Sequence, residues 1–455
     1  MEEVIGMLDP QEIALAEKCL ERALAKGAQK VRITLNKSLM ELFGTLNGEL
    51  DKVSHCLDRS MGVSLFADGR FGSFSTNRLA EEDLELFLDR SLATVRMLAE
   101  DSFRDLPDPG RTAKDAVTGK ELDLVDGSYA CLTSGERLRI AMDAAIFKAH
   151  EGEDLISEEG EYSDSIADTL ILDSNGTRCR HTETSFEYGV ETTIRDSSGN
   201  RYSGYWWDAS PRLRDLDSGI CGETALRRAR AQVGPGIIHG GEYNMVVDSE
   251  KASRLVTPLL NALNAYSLQQ KNSFLLDTLG KKVFPEMLTI MDRPREAGRS
   301  GSRLFDSEGV ATQETPIIEK GVVKEYFVNT YMSRKMGIAP TVEDAGRPVL
   351  LPCISGRSPV QGILDRKGIM NLVGEGILVT DFNGGNSNPA TGDFSFGIEG
   401  FLFKNGAIVH PVREMLITGN LKELWNNLIA AGNDSRLCMS KLIPTLAFSN
   451  VSFSS

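Results

Sequence analysis

Five histidines, His55, His150, His181, His239 and His410, are the whole imidazole supply of the chain. No two stand at the spacing that lets one helix hold zinc beside a catalytic Glu, so the sequence has no HExxH-type site. Cys179 and His181 are two apart in a strand-like run and could share a face; a lone pair of this kind is better read as accidental neighbours. There is no G-x-S-x-G nucleophile turn. LGKK, residues 279–282, lacks the upstream Gly and the following Ser/Thr of a phosphate loop. GRSGSR, residues 298–303, could bend around an anion through its backbone donors. No strand and helix frame it, so an exposed loop is expected there.

The segment DFNGGNSNPATGDFSFG, Asp381 to Gly397, concentrates amides and carboxylates. Asp381, Asn383 and Asn386 invite a calcium reading, but Gly385 stands where a third oxygen ligand belongs and Gly392 where the bidentate acid belongs. Two readings stay open: a structural turn, or a functional loop in which Gly384 and Gly385 let another chain's backbone come close.

A third stretch, LLNALNAYSLQQKNSF (Leu259 to Phe274), has the form of a metal-bearing helix without the metal's ligands. Leu255, Leu259, Leu263 and Tyr266 recur at helical spacing, and the second half turns polar with no Gly or Pro to explain it. It holds no His, Glu, Asp or Cys.

The elements that position these stretches read as α+β. Pro10 to Lys26 is an amphipathic helix with Ile13, Ala16, Leu20 and Leu24 on one stripe, stopped by Gly27. Asn47-Gly48 and Asp68-Gly69 separate β-prone runs, a meander of hairpins. A second helix is expected from Glu81 to about Leu98, with DLPDPGRT (105–112) as a linker. Ser134 should cap a third helix carrying Leu138, Met142, Ala145, Ile146 and Ala149. EGEDLISEEGEYSDS, 151–165, reads as a solvated acidic connector. Strands TLILDS, TSFEYGVETTI and RYSGYWW and a helix from Glu223 to about Gln232 follow. YNMVVD then leads into the helix of the third stretch, capped at Asp248 or Ser249. Hairpins TPIIEKGVVKEYF and EGFLFKNGAIVHPV come after it. The expected layout is an N-terminal α+β domain (1–112), a middle α+β section (113–236) and a strand-rich C-terminal domain (237–455) around a central buried helix.

At 455 residues two or three domains are expected, and 41% hydrophobic with 25% charged residues is the composition of a soluble globular chain. A net charge of -15 and no long basic run argue against nucleic acid as a direct partner. Seven scattered cysteines without a CxxC pair encode neither a disulfide framework nor a zinc ribbon. The acidic opening MEEVIGMLDPQEIA is unlike a signal peptide, and no apolar run approaches the ~18 residues of a membrane span. A cytoplasmic protein is expected.

Four ordered stretches carry a resemblance: KNSFLLDTLGKKVFPE (271–286), FDSEGVATQ (305–313), VTDFNGGNSNPATGDFSFGIEGF (379–401), and NGAIVHPV followed by MLITGNLKELWNNLIAAGND (415–434). Together they resemble the TldD/PmbA family, historically labelled modulators of DNA gyrase, over nearly the whole chain. That family has two branches that associate as a heterodimeric peptidase. The TldD-like branch carries HExxxH on a helix, with two His on zinc, a Glu to activate water, and a Cys near the C-terminus. The PmbA/TldE-like branch lacks that motif. Aligned on its LL, this sequence has Asn261 and Tyr266 at the two His positions and Ala262 at the Glu; Cys438 stands at the possible third-ligand position, as a relic or a core residue. The resemblance therefore implies a catalytically silent subunit with no metal or cofactor of its own, zinc in a TldD-like partner, and an unfolded peptide as substrate. It also implies a heterodimer, with a homodimer as the form taken alone. The expected contact surface is Asn383 to Thr391 (Asn383, Gly384, Gly385, Asn386, Thr391) with Gln269 and Asn272 beside it. Phe394, Phe396 and Trp425 are expected in the core. The alternatives are an active peptidase at an unrecognised site around Cys179 and His181, or a regulator that binds gyrase.

Overall fold

The computed structural model describes residues 6–356 and 364–454; the opening MEEVI lies outside them. The chain divides into two compact units. The first comprises the described residues of Met1–Ala229 with Arg295–Thr312 and Asn329–Val342. Its frame is a six-stranded sheet in the order β3-β2-β1-β4-β5-β6. The strands are β1 (Lys30–Leu46), β2 (Glu49–Ala67), β3 (Arg70–Thr76), β4 (Leu155–Asp173), β5 (Arg178–Arg195) and β6 (Arg201–Ser210). Asn47 and Gly48, and Asp68 and Gly69, all take positive φ, the conformation two-residue hairpin turns require.

Helices α1 (Pro10–Ala25) and α2 (Glu81–Val95) pack on this sheet. Asp9 and Glu12 form a reciprocal cap at the start of α1, with Pro10 at its first position. Ala16, Cys19 and Ala23 meet Val31, Ile33 and Leu35 of β1 and Leu84 and Leu88 of α2 in one core.

Several expectations change here. β1 pairs antiparallel with β4 from Arg32↔Asp173 to Leu46↔Glu159, so the boundary placed at 112 runs through a single sheet. Two segments of the expected C-terminal section, 295–312 and 329–342, also belong to this unit. The acidic run 151–165 is no solvated connector. Most of it is β4, because strand alternation turns Glu158, Tyr162 and Asp164 inward, all nearly fully buried. Asp164 is matched there by Arg137, whose Nε and Nη2 donate to its two oxygens at 2.7 and 3.1 Å. The Tyr162 hydroxyl donates to the same carboxylate at 2.8 Å. Burial and that neighbouring charge push the phenol up.

The third helix, α3 (Ser134–Asp143), is capped by Thr133 with Glu136 rather than by Ser134. It ends before Ile146, whose N–H donates to the buried Glu158 carboxylate at 3.0 Å instead of to a helical carbonyl. Its fully buried residues are Arg137 and Ala141, while Leu138 of the expected apolar set is half-buried against the same core. GRSGSR is no open loop either: Ser302 is buried and donates to the Glu296 carbonyl at 2.7 Å. Helix α4 (Cys221–Ala231) closes the first long stretch of this unit.

The second unit comprises Arg230–Pro294, Gln313–Val328 and the described residues of Glu343–Ser455. Its main sheet runs Cys353–Ile354, Leu428–Ala431, Leu446–Ser454, Ala407–Asn420, Asp393–Lys404, Glu375–Ser387 and β7 (Gly241–Val247). β7 pairs in parallel with Glu375–Ser387 on one side and antiparallel with Leu446–Ser454 on the other, so the last five strands close into a barrel. A small sheet of Ile290–Asp292, Thr315–Glu319, Val322–Val323 and Pro348–Leu350 completes the unit. Phe396, Trp425 and Phe394 are buried in it. The protein is α+β with a strand-rich C-terminal barrel, and among the described residues no helix is long and apolar enough to cross a membrane.

The Arg137–Asp164 pair gives a stability test. Asp164→Ala strands a buried guanidinium and should lower unfolding free energy by about 3–5 kcal/mol. The double variant Arg137→Met, Asp164→Leu should recover most of that loss, read from urea midpoints with Tyr162 retained.

Candidate functional site

The candidate site is a groove between α5 (Ser249–Ala262) and the bulged end of strand Glu375–Ser387. Asp248 caps α5, and its own N–H donates to the Val379 carbonyl at 3.0 Å, which docks the helix start on that strand. One face of α5 is apolar and buried through Ala252, Leu255, Val256 and Leu259, each fully inaccessible. A buried Leu or Val contributes about 1.5–3 kcal/mol, enough to fix which face turns outward. The outward face presents Lys251, Arg254, Thr257, Pro258 and Asn261 to the groove. Pro258 has no N–H to give the Arg254 carbonyl. The Thr257 hydroxyl bonds back to Ser253 at 2.9 Å.

The helix does not continue through the third stretch as its periodicity predicts. The Ala265 N–H donates to the Phe327 carbonyl at 2.9 Å, and the Phe327 N–H to Leu263 at 3.0 Å, so a short bridge interrupts the helix at Asn264. Asn264 then caps α6 (Ala265–Gln269) by accepting the Tyr266 N–H at 2.9 Å. Leu255, Leu259 and Leu263 remain fully buried, whereas Tyr266 leaves their stripe and is 42% exposed. Asn261 is exposed and Ala262 buried.

The opposite wall is a bulge. Strand pairing jumps from Asn383↔Gly397 to Asn386↔Ser395, so Gly384 and Gly385, with φ of +71° and +78°, stand opposite the single residue Phe396. A Cβ on Gly385 would sit 2.1 Å from the Ser395 carbonyl oxygen, while one on Gly384 would meet nothing within 4 Å. The close approach expected of another chain at Gly385 is thus already made by the protein's own neighbouring strand. Arg254 ties the two walls together: its Nη2 donates to the Gly385 carbonyl at 2.8 Å and its guanidinium lies 5.0 Å from the Phe396 ring centre. Lys251 pairs with Asp381 at 3.0 Å. The open groove has a volume of about 780 Å³.

The turn Asn388–Gly392 is tied to itself and its neighbours. Asn388 accepts the Ala390 N–H at 2.9 Å, Thr391 donates to Asp393 at 2.7 Å, and the Asn420 amide donates to Asp393 at 2.9 Å. Asn420 and Thr391 hold the Asp393 carboxyl below the usual range. The Phe274 N–H reaches the Pro389 carbonyl at 2.8 Å, and the Phe274 ring lies under Gly392. Phe274 therefore brings the end of the polar tail to the turn.

Of the surface expected from sequence, Gly384, Gly385 and Asn386 line the groove with Asn261. Asn383, Thr391, Gln269 and Asn272 lie outside its lining; Asn383 and Asn272 are exposed, Gln269 half-buried. Arg254 and Lys251 are groove residues that the sequence reading does not name, and Phe396, buried as expected of a core residue, also borders the groove. For the two cations a signal existed, since they fall opposite the apolar stripe of α5.

Cys438 is half-buried, and among the described residues no three of His, Cys, Asp and Glu cluster as a metal site would need. Cys179 is buried, donates to the Ala113 carbonyl at 3.3 Å, and has its thiol pushed up to about 11 by burial. That is a structural cysteine rather than a nucleophile.

The description PmbA/TldA metallopeptidase C-terminal domain matches residues 240–455, and its central-domain counterpart matches 132–233. The chain belongs to the PmbA/TldD family. The crystal structure of a candidate modulator of DNA gyrase from Bacteroides thetaiotaomicron is 38% identical, with a TM-score of 0.92 over 98% of this chain and 99% of that one. Metalloprotease PmbA of Escherichia coli O157:H7 is 26% identical across 97% of this chain and 98% of its own length. The PmbA homolog of Haemophilus influenzae is 28% identical across 85% and 83%. TldE from Thermococcus kodakarensis shares the fold, with a TM-score of 0.81 at 18% identity.

Asn261, Ala262 and Tyr266 are an amide, a buried methyl and a phenol, and supply neither an imidazole nor a carboxylate for a metal.

The bulge gives a graded prediction. Gly384→Ala should cost about 1 kcal/mol for its left-handed backbone alone. Gly385→Ala should cost clearly more, because Ser395 must also move, and the difference should appear as the larger drop in thermal midpoint.

Proposed function

We propose that this chain is the non-catalytic, PmbA/TldE-type subunit of a TldD/TldE-type metallopeptidase complex that cleaves unfolded peptides for maturation or degradation in the cytoplasm. The observation that carries this reading is the side-chain set Asn261, Ala262 and Tyr266. Catalytic zinc needs about three donors of imidazole, thiolate or carboxylate type and a base to take the proton from its water. These three positions offer neither, so in this reading the reactive metal belongs to a TldD-like partner, and this subunit contributes wall and docking surface.

The groove suits that role. Asn386 and Asn261 offer amide donors and acceptors to a passing backbone, and the exposed Gly384 leaves the wall low. Asn383, Thr391, Gln269 and Asn272 extend the same polar surface outward in this reading. A peptide laid against the strand end Asn383–Ser387 would be recognised through main-chain hydrogen bonds, which tolerate many sequences.

Two measurements test it. The purified chain should hold far less than one zinc per molecule by elemental analysis, and should hydrolyse an unfolded peptide only once a TldD-like subunit is added. Chelator-sensitive cleavage by the chain alone would overturn the reading. Within the active complex, Asn386→Ala should lower kcat/KM about fivefold, ~1 kcal/mol for a lost hydrogen bond, with zinc content unchanged.

A further inference from the structure

The charges of the groove are unevenly matched. Lys251 is paired with Asp381 at 3.0 Å. Arg254, on the same face of α5, has no carboxylate partner among the described residues. A guanidinium presents several N–H donors in a fixed planar fork. In Arg254 one of them, on Nη2, goes to the Gly385 carbonyl at 2.8 Å, and the Phe396 ring centre lies 5.0 Å from the guanidinium carbon. The side chain is otherwise exposed in the groove lining. A carbonyl and a ring face carry only partial negative charge, so these contacts fix the guanidinium plane without neutralising it. A cation held in that state is set to take a carboxylate through paired N–H···O bonds, with little of its own ordering left to lose.

The surroundings state which anion fits, and in what setting. Glu250, one turn before Arg254, and Asp381 line the same groove. Repulsion from those carboxylates rises with the charge of the guest, so a single carboxylate is admitted more readily than a doubly charged phosphate. Asn261 stands two turns after Arg254 on the same side of the helix, about 10 Å along its axis. That span is about three residues of an extended strand. An extended peptide therefore sets one carboxylate on Arg254 while its main chain reaches the amides of Asn261 and, on the opposite wall, Asn386.

We propose that Arg254 selects the peptide that the groove takes, by binding a carboxylate on it: an Asp or Glu side chain, or the peptide's own C-terminal group. The inference rests on the reading of the groove as a peptide surface and adds a charge requirement to it.

The test is calorimetric binding of short peptides to the purified full chain, with circular dichroism as the folding control. The reference peptide is neutral, acetylated and amidated. One series places a single Glu at each position in turn, and one further peptide ends in a free carboxylate. Either the series, at one position, or the free carboxylate should bind about fivefold tighter than the reference, and which of them gains identifies the source of the carboxylate. A net charge of -15 repels acidic peptides as a whole, so such a gain marks a local contact. Arg254→Gln should abolish the gain and Arg254→Glu should turn it into a loss. Arg254→Lys, which keeps the charge without the fork, should retain part of it. A purely structural role for Arg254 would weaken every peptide alike. Binding of the neutral peptide with no gain from any carboxylate, or a gain that survives Arg254→Gln, would overturn this inference alone. No binding of any peptide would overturn it together with the peptide reading of the groove.

Discussion

The C-terminal unit depends on the hydrogen-bonding capacity of β7. Its backbone is used on both sides, by Glu375–Ser387 in parallel and by Leu446–Ser454 antiparallel. That double use turns an open sheet into a closed one and leaves these strands without free edges at the junction. It also fixes α5, which starts one residue after β7 and whose capping residue bonds to the strand beside it. Loosen β7, and the helix and the strand that make the groove lose their common anchor.

From that anchor the groove follows by local chemistry. The buried stripe of α5 sets its rotation and turns Lys251, Arg254 and Asn261 outward. Two glycines with left-handed backbone bend the far end of the opposite strand, and Arg254 reaches across to the carbonyl the bulge exposes. A guanidinium shared between a carbonyl and a ring is a rigid strut as well as a charge. The result is a polar-walled channel with a strand end along one side.

The N-terminal unit handles charge differently. Asp164 and Arg137 satisfy each other inside the sheet, with Tyr162 on the same carboxylate, and Asp168 is held by Arg180, Thr182 and the Leu8 N–H. Buried ion pairs of this kind add little net stability but penalise any arrangement that separates the partners. The Asp168 contacts tie β4 to β5 and the Asp164–Arg137 pair ties α3 to β4, which a run of acidic residues facing water could not do.

Much of this was legible in the order of residues alone. The hairpins announced themselves through Asn47-Gly48, Asp68-Gly69 and Asn405-Gly406, because few dipeptides tolerate positive φ twice. The amphipathic stripe of α5 gave its buried face through Leu255 and Leu259. What the tertiary structure alone decided are the points where a distant partner outbids local preference. Acidic residues 158 and 164 became interior because Arg137 and the Ile146 N–H were waiting for them. The helix predicted through Tyr266 stopped because Phe327, far along the chain, took the Ala265 N–H. Local periodicity records which side chains prefer water; it carries no record of which remote group will accept a given proton.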